Sequence, residues 1–173
     1  MRWTRAVIGL GASLGDRART IELALRLLSV WPGVHVRGSS RLYWSAPAGG
    51  IAGAAFLNAA VLVATTLPPE ALAAALRATE VRLGRRPSRR WADRVLDLDL
   101  LWIEGVSLNS DALTVPHPRL HQRDFALVPL LEVAPEARHP RTGVPYAELP
   151  PAISRLPIFG TLPRLRPAAN REA

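Results

Sequence analysis

Residues 94–101, Arg-Val-Leu-Asp-Leu-Asp-Leu-Leu, leave little choice of local structure. The period-two alternation predicts a strand with Leu96, Leu98 and Leu100 on one face and Asp97 and Asp99 on the other. The leucine face can be buried. The other face then carries two carboxylates roughly 7 Å apart at Cα, twice the rise of a strand residue. Acids on one strand face repel each other, so the pair asks for a cation. Oxygen ligands on a rigid strand suit Mg²⁺, which takes one or two carboxylates and fills its octahedron with water and substrate phosphates. Immediately upstream stand Arg85, Arg86, Arg89, Arg90 and Arg94. Alternating Leu and Asp also describes any half-exposed strand, but an arginine run beside the pair turns the reading toward a polyphosphate and its metal.

The other elements follow from local signals. Ala6-Val7-Ile8-Gly9-Leu10-Gly11 reads as a short strand leaving through glycines, and Asp16 as the N-cap of a helix running to about Val30. A second strand is expected over 34–44 and a third over 55–66. Pro68-Pro69-Glu70 opens a second helix with Leu72, Ala75, Leu76, Thr79 and Leu83 inward, and Gly84 ends it. Another short strand is expected over 106–108. The order β-α-β-β-α-β predicts an α+β, ferredoxin-like core: an antiparallel sheet, both helices on one face, and loops 45–53 and 84–93 over the other. Residues 1–162 are expected to form one domain, with a frayed basic tail from 163.

Composition narrows the partners. The chain has no cysteine, which excludes disulfides and thiol catalysis. No apolar run reaches membrane-spanning length, and the N-terminus lacks a signal-like apolar region. A cytoplasmic protein, with no membrane partner, is the expectation. The net charge is +8 and all 22 basic residues are arginine, so an anionic partner is expected, nucleic acid or nucleotide. Arginine offers phosphate oxygens a planar fork.

Several residues stand out by chemistry. Asn58, in an apolar run, either braces a loop or reads a heteroaromatic edge, and chemistry leaves both open. His117 is held between two prolines and is followed by Arg119 and Arg123. Phe125 can stack on a flat ligand or fill a core. The turn at 11–16 reads as structural, because it matches neither the Walker nor the dinucleotide fingerprint.

Taken together, Gly9-Leu10-Gly11-Ala12-Ser13-Leu14-Gly15-Asp16, Phe56-Leu57-Asn58-Ala59-Ala60-Val61, Gly84-Arg85, the stretch 90–99, Leu113-Thr114-Val115-Pro116-His117-Pro118-Arg119 and Arg123-Asp124-Phe125 resemble the 7,8-dihydro-6-hydroxymethylpterin pyrophosphokinase family across about residues 7–135. The resemblance implies transfer of pyrophosphate from ATP to a dihydropterin alcohol, with AMP leaving, in folate biosynthesis. It implies two Mg²⁺ ions on Asp97 and Asp99, and Arg85 and Arg94 as catalytic arginines. Leu100, Thr114, His117, Arg123 and Arg86 would bind ATP. Ser45, Ala46, Phe56, Asn58, Trp91 and Phe125 would bind the pterin. A monomer acting on small molecules, without nucleic acid, is the matching expectation.

The chain departs from the family pattern at Ser13, where Asn is common, and at Ser45-Ala46-Pro47, where Thr-Pro-Pro is common. It also departs at Phe56 (Tyr) and Ala92-Asp93 (Gly-Pro), and its arginine loop is about one residue short. These fall on loops and pocket walls, leaving the acids and Arg85 and Arg94 intact. Two other readings compete. A polymerase-β-type nucleotidyltransferase also joins a Gly-Ser turn to D-x-D, but at closer spacing. A ferredoxin-like RNA-binding module would want aromatics on the sheet face, and the ten aromatics here are scattered.

Overall fold

The apolar runs become strands wherever period-two burial is available. The computed structural model describes residues 2–46, 53–86 and 94–163. Strand β1 covers Thr4–Ala12, β2 Val34–Ser39, β3 Arg41–Ser45, β4 Phe56–Thr65 and β5 Asp97–Ile103. A short pair follows, β6 at Leu108–Asn109 with β7 at Thr114–Val115, and β8 covers Ile158–Thr161. The main sheet runs β5-β1-β4-β3-β8, with β2 also on β4, and every pairing is antiparallel.

Two expectations about strands need correction. The segment 34–44 is two strands, because Ser40 interrupts it. The Ser40 hydroxyl takes the Ala60 N–H at 2.9 Å, where a ladder carbonyl would otherwise stand. The strand expected at 106–108 is displaced to β6, where Leu108 pairs with Val115.

Helix α1 spans Arg17–Ser29 and α2 spans Pro69–Arg82. Asp16 caps α1 by accepting the Arg19 N–H at 3.0 Å. Ile21, Leu25 and Leu28 of α1 and Leu72 and Leu76 of α2 pack on Ile8, Leu10, Leu57, Val61, Leu98 and Leu100. This is the helix-bearing face of a ferredoxin-like sheet, as the element order predicts.

The opposite face is covered at one end. Helix α3, Asp124–Val133, lays Leu127 and Leu130 on Val7, Ala60, Leu101 and Trp102, and Tyr146 closes the same cluster from a 3-10 turn. Among the described residues the Tyr146 hydroxyl is buried without a partner, and burial raises its pKa. A buried, unmatched hydroxyl costs about 1–3 kcal/mol. Tyr146→Phe is therefore expected to leave the urea midpoint unchanged or raise it. A drop equivalent to more than about 1 kcal/mol would show that the hydroxyl is bonded.

Candidate active site

Strand register builds the floor of the site. Gly11 stands opposite Asp97 on one side and Asn58 on the other, and Asn58 stands opposite Tyr43. Gly9 likewise lies between Asp99 and Ala60. A row Asp97–Gly11–Asn58–Tyr43 thus crosses four strands on the face away from α1 and α2. Asp97 and Asn58 lie about 10 Å apart at Cα, twice the spacing of adjacent strands. Between them the glycines present only main chain. A Cβ on Gly11 would sit 3.5 Å from Asn58 Oδ1, and one on Gly9 would press Leu101 at 3.1 Å. Glycine inside a strand marks such a close approach, so this part of the floor was open to reading from the sequence.

Asn58 is 6% exposed. Its Nδ2 donates to Ser45 Oγ at 2.9 Å, and among the described residues its Oδ1 accepts no hydrogen bond. The Nδ2 end of the amide therefore braces the β3 exit, the first of the two readings left open by chemistry, and the Oδ1 end lies beside Gly11 on the floor.

The acidic end of the row is a charge junction. Arg85 and Arg94 each donate to Asp97 Oδ1 at 2.9 Å. Arg85 also meets Glu80, a carboxylate only 3% exposed. Glu80 in turn accepts the Leu98 N–H at 2.7 Å. Burial raises the Glu80 pKa, while the Leu98 N–H and Arg85 oppose that rise. Glu80 escaped notice in the sequence, although it sits at i+8 from Leu72 and i+4 from Leu76, where an acid is out of place.

Asp99 has its pKa pushed up to about 6, first by burial and then by the charge of Asp97; Arg123 and Arg94 pull it down. Both arginine contacts fall on Asp97, and the polar contact to Asp99 among the described side chains is that of His117. Among the described residues no three metal-ligating side chains converge. Two carboxylates completed by a ligand's phosphates fit Mg²⁺.

His117 Nε2 lies 3.9 Å from Asp99 Oδ2. Burial, Arg123 and Arg119 push the His117 pKa down to about 4, so at neutral pH this contact is not an ion pair. The Arg119 N–H donates to His117 Nδ1 at 3.2 Å, which assigns the proton to Nε2, facing Asp99. Arg123 sits 5.4 Å over the Phe125 ring, at the start of α3.

A cavity of about 710 Å³ brings together Arg85, Arg86, Arg94, Asp97, Asp99, Leu100, Thr114 and His117 between α2, β5 and β7. Leu98 turns its N–H away from β1 toward Glu80. Leu100 lines the same cavity two residues on, and next to it the Leu101 carbonyl accepts the His117 N–H at 2.8 Å where the β1–β5 register shifts. Ser45, Phe56 and Asn58 lie across the glycine floor from the carboxylates, and Ala46 is exposed at the β3 exit. Trp91, Arg89, Arg90 and most of loops 45–53 and 84–93 lie outside the described residues.

Comparison with known proteins completes the description. Residues 7–135 match the model of the 7,8-dihydro-6-hydroxymethylpterin-pyrophosphokinase family. The chain is 41% identical over 133 residues to the 2-amino-4-hydroxy-6-hydroxymethyldihydropteridine pyrophosphokinase of Methylorubrum extorquens, covering 77% of this chain and 84% of that protein. It is 36% identical to the Bacillus subtilis protein of the same name, covering 79% and 82%. Against the mitochondrial folate synthesis bifunctional protein of pea it is 39% identical, covering 73% of this chain but 24% of that one. Among solved structures, wild-type HPPK-DHPS of Plasmodium falciparum with STZ-DHP aligns with a TM-score of 0.65 at 15% identity, covering 86% of this chain and 43% of that one. That likeness shows a shared fold.

Proposed function

The chain belongs to the 7,8-dihydro-6-hydroxymethylpterin-pyrophosphokinase family, diphosphotransferases of folate biosynthesis, and from that premise we propose how its residues divide the work. The reaction moves pyrophosphate from ATP to the hydroxymethyl oxygen of the dihydropterin. An oxygen–β-phosphorus bond forms, the α–β bridge breaks, AMP leaves and the hydroxymethyl proton is released. Asp97 and Asp99 would hold two Mg²⁺ ions, whose chemistry is to neutralise phosphate charge and align the attacking and leaving oxygens. The upward shift of the Asp99 pKa beside Asp97 supports a cation there.

The remaining residues bind and orient. Leu100 flanks the adenine edge, with Thr114 alongside. His117, through its Nε2–H, and Arg86 and Arg123 reach the phosphates. Arg85 and Arg94 neutralise charge that builds on the transferring group. On the far side of the glycine floor, Asn58 Oδ1 reads a ring N–H of the pterin. Phe125 and Phe56 bound the flat ring, and Ser45, Ala46 and Trp91 complete the pocket. The main support is the bare Gly9/Gly11 floor, flanked by a carboxylate pair on one side and an amide acceptor on the other.

We further propose a cytoplasmic monomer with residues 1–162 as its domain. No described helix is long and apolar enough to cross a membrane, and β8 adds to the sheet beside β3 with Leu162 buried just after it. The RNA-binding alternative gains nothing from the comparisons, and the aromatics of that sheet face, Tyr43, Phe56 and Trp102, are all buried or half-buried. The polymerase-β-type reading likewise gains nothing from the comparisons. The test is product analysis. With Mg·ATP and the dihydropterin alcohol, AMP and the pterin diphosphate are expected in equal amounts. ADP as product, or turnover independent of the pterin, would overturn the assignment.

A further inference from the structure

We propose that Ser13 positions Arg94 for the transfer, by holding the Arg94 main chain from both sides. Ser13 is fully buried at the exit of β1. Its N–H donates to the Arg94 carbonyl at 2.9 Å, and the Arg94 N–H donates back to Ser13 Oγ at 2.9 Å. The hydroxyl also approaches the Arg94 carbonyl at 3.4 Å.

The register explains why a hydroxyl is needed. Gly11 faces Asp97, so an uninterrupted ladder would put Ser13 opposite Val95. The contact falls on Arg94, one residue earlier. A side-chain oxygen on Ser13 makes up that offset by accepting the N–H that a regular ladder would give to a carbonyl. The same strand end thereby sets both partners: Gly11 fixes Asp97, and Ser13 fixes the residue whose guanidinium reaches Asp97 Oδ1 at 2.9 Å. Ser13 is itself anchored, because Arg17 Nε donates to its carbonyl at 3.0 Å. The Arg17 guanidinium also lies 5.5 Å over the Trp44 ring. Arg94 therefore receives its position from β1 and α1. Misplacing a charge-stabilising group by about 1 Å costs on the order of a hundredfold in rate, so a main-chain clasp of this kind acts on turnover.

This inference rests on Arg94 acting in the transfer, and the test separates the two. Ser13→Ala and the near-isosteric Ser13→Cys are made alone and combined with Arg94→Ala, and steady-state AMP release is followed alongside melting temperature. Each single Ser13 variant is expected to lose about tenfold or more in kcat. KM for both substrates should stay within about twofold, since the lost alignment acts on the transition state. In the Arg94→Ala background either Ser13 change should cost less than about threefold, because a residue acting through Arg94 has nothing left to act on. Equal losses in both backgrounds would overturn the inference and leave the role of Arg94 standing. Wild-type turnover by Ser13→Cys would overturn it too, by showing that volume and not the hydroxyl matters. Undiminished AMP release by Arg94→Ala would remove the proposed role of Arg94 and this inference together.

Discussion

Asp97→Ala is expected to lower AMP release by on the order of a thousandfold or more, the scale of losing a metal ligand together with an anchor of the transfer arginines. The protein should still melt close to the wild-type temperature. Asp97 is the one acceptor among the described residues shared by Arg85 and Arg94, and it lines the cavity between α2, β5 and β7. Its stabilising worth is small for the same reason: all three side chains remain about a quarter exposed. Ion pairs with that much solvent contribute about 0–1 kcal/mol. Arg85 keeps Glu80 when Asp97 is gone. Asp99→Ala should match the loss of turnover, with stability equal or slightly higher, since it removes one of two crowded acids. Thermal melts beside the AMP assay decide the matter. If either variant unfolds at assay temperature, the pair is structural; if either turns over normally, the metal assignment fails.

How much of this was legible in the sequence depended on how local each signal is. The parity of Asp97 and Asp99 against Leu96, Leu98 and Leu100 is a property of one strand, and burial follows it. The Asp16 cap and the proline start of α2 are equally local. Strand β8 is different. Its four residues include Gly160 and follow Pro157, and its strand character comes from pairing with β3, more than a hundred residues earlier. Helix α3 contains Pro129 and is apolar nearly all round, so it shows no helical stripe. The break at Ser40 depends on a hydroxyl meeting Ala60 across the sheet. At the site, the residue types proposed to touch ligand are readable as chemistry. Behind them, Ser13 and Glu80 stand out in the sequence as residue types but not by partner; register and helix docking put them against Arg94 and Arg85.

Glu80 carries the second large effect, and two substitutions separate its roles. The side chain is 3% exposed, it accepts the Leu98 N–H at 2.7 Å, and it holds Arg85. Burial raises its pKa above the ordinary 4.5. By linkage, a raised acid contributes stability in full below its unfolded pKa and loses it as pH rises through the folded value. At neutral pH the Glu80 charge is thus a burden on the fold, offset in part by Arg85. Glu80→Gln keeps an oxygen for Leu98 and removes the charge, so stability at pH 7 should change by less than about 1 kcal/mol. Glu80→Leu also leaves the Leu98 N–H without its acceptor, and should cost about 2–3 kcal/mol. Turnover should follow a different rule. Both variants take away the anion that shares Arg85 Nη1 with Asp97, so both should lose about tenfold or more in kcat. Urea titrations and AMP release on the same preparations give the two readouts. If turnover tracks stability, with Gln near wild type and Leu poor, Glu80 only supports the β5 main chain. Equal catalytic losses with unequal stabilities would assign it to the orientation of Arg85.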